Sequence, residues 1–153
     1  FAWAPDGSRI AYRADPNEAG LPEVFTTLPD GGGNVRASGA LVPGSFGVEA
    51  FAWAPDGSRI AYSAEQRSIP EKELFTSRPD GSGNVVVSGP QVPDGGVVDF
   101  RWTSDGSRLA YRADQLVNGR FELFSAAPDG EPVGAAISGP LADGGDVFAF
   151  STR

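Results

Sequence analysis

Residues 51–62 read FAWAPDGSRIAY, and residues 1–12 read the same twelve letters without a difference. Residues 100–111 give a third version, FRWTSDGSRLAY, with conservative changes. Phe1, Phe51 and Phe100 open the three copies, so the spacing is 50 and then 49 residues. A second block follows each copy: EVFTTLPDG at 23–31, ELFTSRPDG at 73–81 and ELFSAAPDG at 122–130. Ser-Gly then recurs at 38–39, 88–89 and 138–139. A period of this length marks a repeat architecture, in which each unit buries its apolar faces against its neighbours.

Each unit reads as four short strands. In the middle copy Phe51 and Trp53 alternate with Ala52 and Ala54, and Ile60 and Tyr62 flank Ala61. Leu74 and Thr76 flank Phe75, and the Val-rich NVVVSG closes the unit. Alternation with period two, rich in aromatic and β-branched residues, is the pattern of a strand. Asp-Gly between the first and second strands, and again between the third and fourth, predicts tight hairpins in which Gly supplies positive φ. Both faces of each strand are apolar or small, so each sheet needs cover on both sides. The reading is all-β: antiparallel four-stranded meanders stacked as propeller blades. One segment spans 1–153, with repeats at about 1–47, 48–96 and 97–146; VFAFSTR at 147–153 starts a fourth repeat or serves as a closure strand through Phe148 and Phe150.

These motifs carry a family resemblance. The Trp-x-Pro-Asp-Gly-x-x-Ile-Ala pattern resembles the repeat of TolB-like β-propellers, relatives of the WD-repeat class. Trp3, Asp6 and Gly7 match it in the first copy, as do Trp53, Asp56 and Gly57 in the second. Trp102, Asp105 and Gly106 match in the third, where Ser104 replaces the Pro. The resemblance implies a propeller fold and a periplasmic or secreted setting.

Three blades do not close a ring, because propellers have typically 4–8. Either the missing blades belong to a longer chain, or copies of this one assemble, a dimer giving six blades and a trimer nine. The identical dodecapeptides also admit a purely structural self-assembling module, natural or engineered.

Composition narrows the chemistry. The 153 residues contain no Cys, Met or His. There is thus no thiol nucleophile, disulfide framework or imidazole base, and the usual zinc ligand sets are missing. No Gly-x-Ser-x-Gly elbow or phosphate-binding loop is present. No catalytic residue, metal site or cofactor is expected. Twelve basic against 20 acidic residues leave a net charge of −8, which repels nucleic acid, and no apolar run is long enough to insert in a membrane.

In a four-stranded meander the two Asp-Gly hairpins lie at one end of the sheet. The second-to-third loops and the blade connections lie at the other, and there the copies diverge. Loops on a rigid scaffold collect binding groups. The candidate binding residues are therefore Asp15, Glu18, Glu65, Arg67, Asp114, Asn118 and Arg120, a polar rim suited to docking another protein or a peptide. The repeated Asp6, Asp56 and Asp105 are expected to accept backbone N–H groups at their turns and to meet Arg9, Arg59 and Arg108 three residues on. The repeated Trp residues are expected to pack between blades. The leading expectation is a non-catalytic scaffold for protein–protein interaction. An alternative is the substrate-gating propeller of a prolyl-oligopeptidase-like serine peptidase, with its catalytic domain elsewhere. Oligogalacturonate lyases, similar propellers with His-rich metal sites, fit poorly with a chain that has no His.

Overall fold

A computed structural model describes residues 1–131 and 133–152. Twelve strands run through them in chain order: β1 (Ala2–Trp3), β2 (Ile10–Ala14), β3 (Glu23–Thr27), β4 (Val35–Arg36), β5 (Ala50–Trp53), β6 (Ile60–Ala64), β7 (Glu73–Ser77), β8 (Val85–Val86), β9 (Val97–Trp102), β10 (Leu109–Ala113), β11 (Glu122–Ala126) and β12 (Ala135–Ala136). No helix forms among the described residues. The strands make three separate antiparallel meanders, β1–β4, β5–β8 and β9–β12. The register repeats from sheet to sheet: Tyr12, Tyr62 and Tyr111 lie opposite Phe25, Phe75 and Phe124, and each pair stacks at 5.2–5.8 Å between ring centres.

The turns follow from the repeated Asp-Gly. Asp6, Asp56 and Asp105 each accept the backbone N–H two residues on, from Ser8, Ser58 and Ser107, at 2.9–3.0 Å. Gly7, Gly57 and Gly106 follow at φ near +70°, where a side chain is strained. The expected meeting of Arg9, Arg59 and Arg108 with these carboxylates does not occur. Instead Arg9 reaches the Thr26 hydroxyl at 3.3 Å, Arg59 the Thr76 hydroxyl at 2.9 Å and Arg108 the Ser125 hydroxyl at 2.6 Å. The Asp oxygens are already held by local donors, whereas the guanidinium group extends across the sheet to the third strand. The repeated Ser of Ser-Gly ties the fourth strand to the third, since Ser38, Ser88 and Ser138 accept the N–H groups of Val24, Leu74 and Leu123.

The core lies between sheets. Phe51, Trp53, Ile60, Tyr62 and Phe75 of the second sheet pack on Ala11, Val24 and Ala37 of the first. Across the next gap, Trp102, Leu109, Tyr111 and Phe124 of the third sheet pack on Ala54, Ala61, Leu74 and Val87 of the second. Each sheet thus has an aromatic face and a small-residue face, and the aromatic face of one blade fits the small face of the blade before it. The alternation of FAWA and RIAY encodes this asymmetry, with large residues on one side and Ala on the other. Removing such side chains from water supplies most of the stabilisation, on the order of 1.5–3 kcal/mol for each large one. The outermost face of the first blade has no neighbour among the described residues, and that of the third is met only in part, by the C-terminal stretch. Trp3 is 50% exposed where Trp102 is 8% exposed.

Residues 147–152 form no ladder. The Phe148 side chain of the expected closure strand is 82% exposed, and Phe150 is half-buried beside Trp53, Phe100 and Trp102. Arg153, the last residue of that stretch, lies outside the described residues.

Candidate functional site

The loop end of the blades is built on a buried carboxylate. Glu23, Glu73 and Glu122 open the third strand of each blade and are all buried. A buried carboxylate needs a paired cation, and each has one drawn from a different place in its repeat. Arg36 reaches Glu23 at 2.8 Å from β4. Arg67 grips both oxygens of Glu73, with Nε 2.7 Å from Oε2, and Arg120 reaches Glu122 at 3.3 Å. The Glu73 contact also raises the pKa of the Arg67 guanidinium above its ordinary value. Two of the predicted binding residues, Arg67 and Arg120, therefore hold their own loops to the sheet.

Asp15, Glu65 and Asp114 occupy one repeat position, directly after the second strand. Glu65 and Asp114 are buried, and each accepts a backbone N–H from the preceding blade connection, Phe46 at 3.1 Å and Gly96 at 2.7 Å. Asp114 and Asp15 also close their loops by accepting the N–H of Gly119 and Gly20, each at 2.8 Å. Glu18 and Asn118 are exposed, and among the described residues neither side chain makes a hydrogen bond within the chain.

The seven candidates do not converge on one pocket. Glu18, Glu65, Arg67 and Asp114 line four different clefts. The best-enclosed of these, about 340 Å³, lies between the first two blades. Arg13, Glu49, Glu65 and Lys72 form its polar wall, and Phe46 and Val48 its apolar side. Glu49 ties the wall together: its carboxylate pairs with the Lys72 ammonium, and its backbone carbonyl accepts from Arg13. Phe46 stands 82% exposed at the mouth. Of these residues only Glu65 was predicted from the sequence. The missed signal is local: the connection ALVPGSFG carries a bulky Phe, where PQVPDGG and PLADGGD carry only small or turn residues at the same step. A polar wall beside an exposed aromatic can bind an extended chain or a loop through hydrogen bonds and one anchored side chain.

The shifted titrations lie away from this cleft. Hydrogen bonds from their own turns lower the carboxyls of Asp6, Asp56 and Asp80 below the usual range. The Thr103 hydroxyl and Ser107 bring Asp105 down to about 2. Burial raises Tyr62 and pushes Tyr111 up to about 12. Among the described residues no three Asp or Glu side chains gather as a metal site would require.

No family model matches the sequence, and no curated protein does. Solved structures do match the fold. A putative TolB from Agrobacterium tumefaciens superposes with a TM-score of 0.62 at 16% identity, over 88% of this chain and 46% of that one. TolB from Acinetobacter baumannii gives 0.59 at 14% identity, over 92% and 32% of the two chains. An oligogalacturonate lyase from Vibrio parahaemolyticus gives 0.58 at 16% identity, over 90% and 36%. The chain thus spans less than half the length of each. At such identities the likeness establishes architecture alone, and an enzyme stands among the matches, so the fold does not decide whether this chain is catalytic. The repeated motif, the three meanders and these superpositions agree on one conclusion: the chain has the fold of a TolB-like β-propeller, three blades of it.

Proposed function

We propose that the chain is a non-catalytic propeller scaffold that binds a protein or peptide at its loop end, its ring completed by further blades. The observation that carries this reading is the cleft between the first two blades, where exposed Phe46 stands beside the Glu49–Lys72 pair. The acidic side chains nearby support a binding role over a catalytic one. Glu65 holds the N–H of Phe46 and Glu49 holds Lys72, so neither is free to act as a base.

The test is a selection of peptides on the folded 153-residue chain, followed by titration of the selected peptides against Phe46→Ser and Lys72→Ala. Binding that weakens at least tenfold in both variants, with unchanged circular dichroism, is the expected result. Peptides that bind both variants as tightly as the parent would contradict it. Assay of the chain with oligogalacturonides and divalent metal ions is expected to show no turnover; metal-dependent cleavage would replace the scaffold reading with an enzymatic one.

A further inference from the structure

We propose that the open face of the third blade is the docking site for the first blade of a second copy, two chains closing one six-bladed ring. This rests on the scaffold reading, because it names what completes the ring.

The two internal junctions share a set of contacts. Thr26 donates to the Pro79 carbonyl at 2.6 Å, and Thr76 to the Pro128 carbonyl at 2.5 Å. The Gly39 N–H donates to the Tyr62 hydroxyl at 2.9 Å, and the Gly89 N–H to that of Tyr111 at 3.3 Å. Trp53 and Trp102 donate to carbonyls of the preceding blade's first strand. Gly81 and Gly130 come so near the Arg36 and Val86 carbonyls that a Cβ would lie 2.4 Å and 2.8 Å from them.

Among the described residues, each contact has one half left over at each end of the repeat array. The third blade offers the Ser125 hydroxyl, the Gly139 N–H and the Arg101 carbonyl. The first offers the Pro29 carbonyl, Tyr12 and Trp3. The space is open as well: a Cβ on Gly31 or Gly139 would meet nothing within 4 Å, whereas one on Gly39 or Gly89 would collide with Gln66 or Gln115. The outer faces are thus the two halves of a junction already made twice inside the chain. Joining them head to tail closes a symmetric ring. Two copies give six blades, within the usual 4–8, and three would exceed it.

The C-terminal stretch occupies part of this seat. Val48, Val97 and Val147 donate alike to the carbonyls of Pro22, Lys72 and Phe121 at 2.7–2.8 Å, which fixes the register. Phe150 then stands at the place of Phe51 and Phe100, and Thr152 at that of Trp53 and Trp102. The Thr152 hydroxyl already donates to the Trp102 carbonyl at 2.7 Å. In the closed ring Val147 to Ala149 lead into Phe1 of the second copy, as Val48 to Ala50 lead into Phe51. Phe150 to Thr152 duplicate Phe1 to Trp3 of that copy and compete with them for one place.

Sedimentation equilibrium across a concentration series tests this on variants of the 153-residue chain. The parent is expected to dimerise. Gly139→Val, which fills space that is empty in the single chain, and Trp3→Ser are each expected to weaken the dimer at least tenfold. The double variant Phe150→Ser/Thr152→Ala, which removes the competitor, is expected to tighten it several-fold. A parent that stays monomeric, or a dimer indifferent to both Gly139→Val and Trp3→Ser, would overturn the docking. A double variant with a weaker dimer would show that the last residues bridge the copies, and would overturn the competition. Failure here leaves the peptide-binding test at Phe46 unaffected.

Discussion

The indole Nε1 of Trp102 donates to the backbone carbonyl of Ala52 at 3.2 Å, across 50 residues of sequence. Trp53 makes the equivalent bond to Ala2 at 3.1 Å. One side chain both fills the gap between two sheets and fixes their relative height, because an indole has a single donor to place.

Trp102→Phe keeps most of the buried area and removes the donor. It is expected to cost about 1 kcal/mol in a denaturant titration, the net worth of one such bond. Trp102→Ala is expected to cost about 3–5 kcal/mol, because the cavity opens in the middle of the core. Equal losses in the two variants would show that the bond, and not the packing, holds the blades together.

Ser88 accepts the N–H of Leu74 at 3.0 Å where both residues are buried. Ser88→Ala leaves that N–H without a partner and is expected to destabilise by about 1–3 kcal/mol. Ser58→Ala, at an exposed turn, is expected to stay within about 0.5 kcal/mol of the parent. Thermal unfolding of the two variants side by side gives the comparison.

Gly81 and Gly31 share a positive φ, +82° and +86°. Alanine at either is strained by about 1–2 kcal/mol. Only at Gly81 does the new methyl also meet a carbonyl, that of Arg36. Under conditions where the chain is monomeric, Gly81→Ala is expected to unfold at a clearly lower denaturant concentration than Gly31→Ala. Equal midpoints would contradict the close approach of the second blade's turn to the first blade.

The pH response has a direction at each extreme. The turn aspartates have folded pKa values below the ordinary 3.8, with Asp105 at about 2. Their contribution is complete above 3.8 and is lost as pH falls toward 2, where the folded carboxylate finally takes up its proton. Tyr111 is raised from 10.0 to about 12, so below 10 both states keep the proton. Between 10 and 12 the unfolded chain ionises first, and stability declines. Thr103→Ala, which removes the leading donor to Asp105, is expected to flatten the acid limb. Phenolate absorbance is expected to show Tyr62 and Tyr111 titrating late in the folded protein and in the ordinary range in denaturant.

The repeat made the fold legible because its residues are those a blade needs whatever its neighbours. Asp-Gly sets the turns, and Trp alternating with Ala sets a large and a small face. The paired carboxylates at the loop end were not legible in the same way. Glu23, Glu73 and Glu122 recur in register, but their partners Arg36, Arg67 and Arg120 do not, since a long side chain can reach one carboxylate from several positions. For the same reason Arg9, Arg59 and Arg108 passed over the aspartates three residues away and bonded across the sheet. The cleft at Phe46 comes from the meeting of two blades, a relationship that no single repeat records.

Light scattering on the unaltered chain, at concentrations spanning the micromolar range, tests ring closure most directly. A species of twice the 15.9 kDa chain mass, with no growth to larger sizes as concentration rises, is the predicted result. A stable, folded species of 15.9 kDa at every concentration would contradict it, since the outer face of the first blade, and the part of the third's that the C-terminal stretch leaves bare, would then remain open to water.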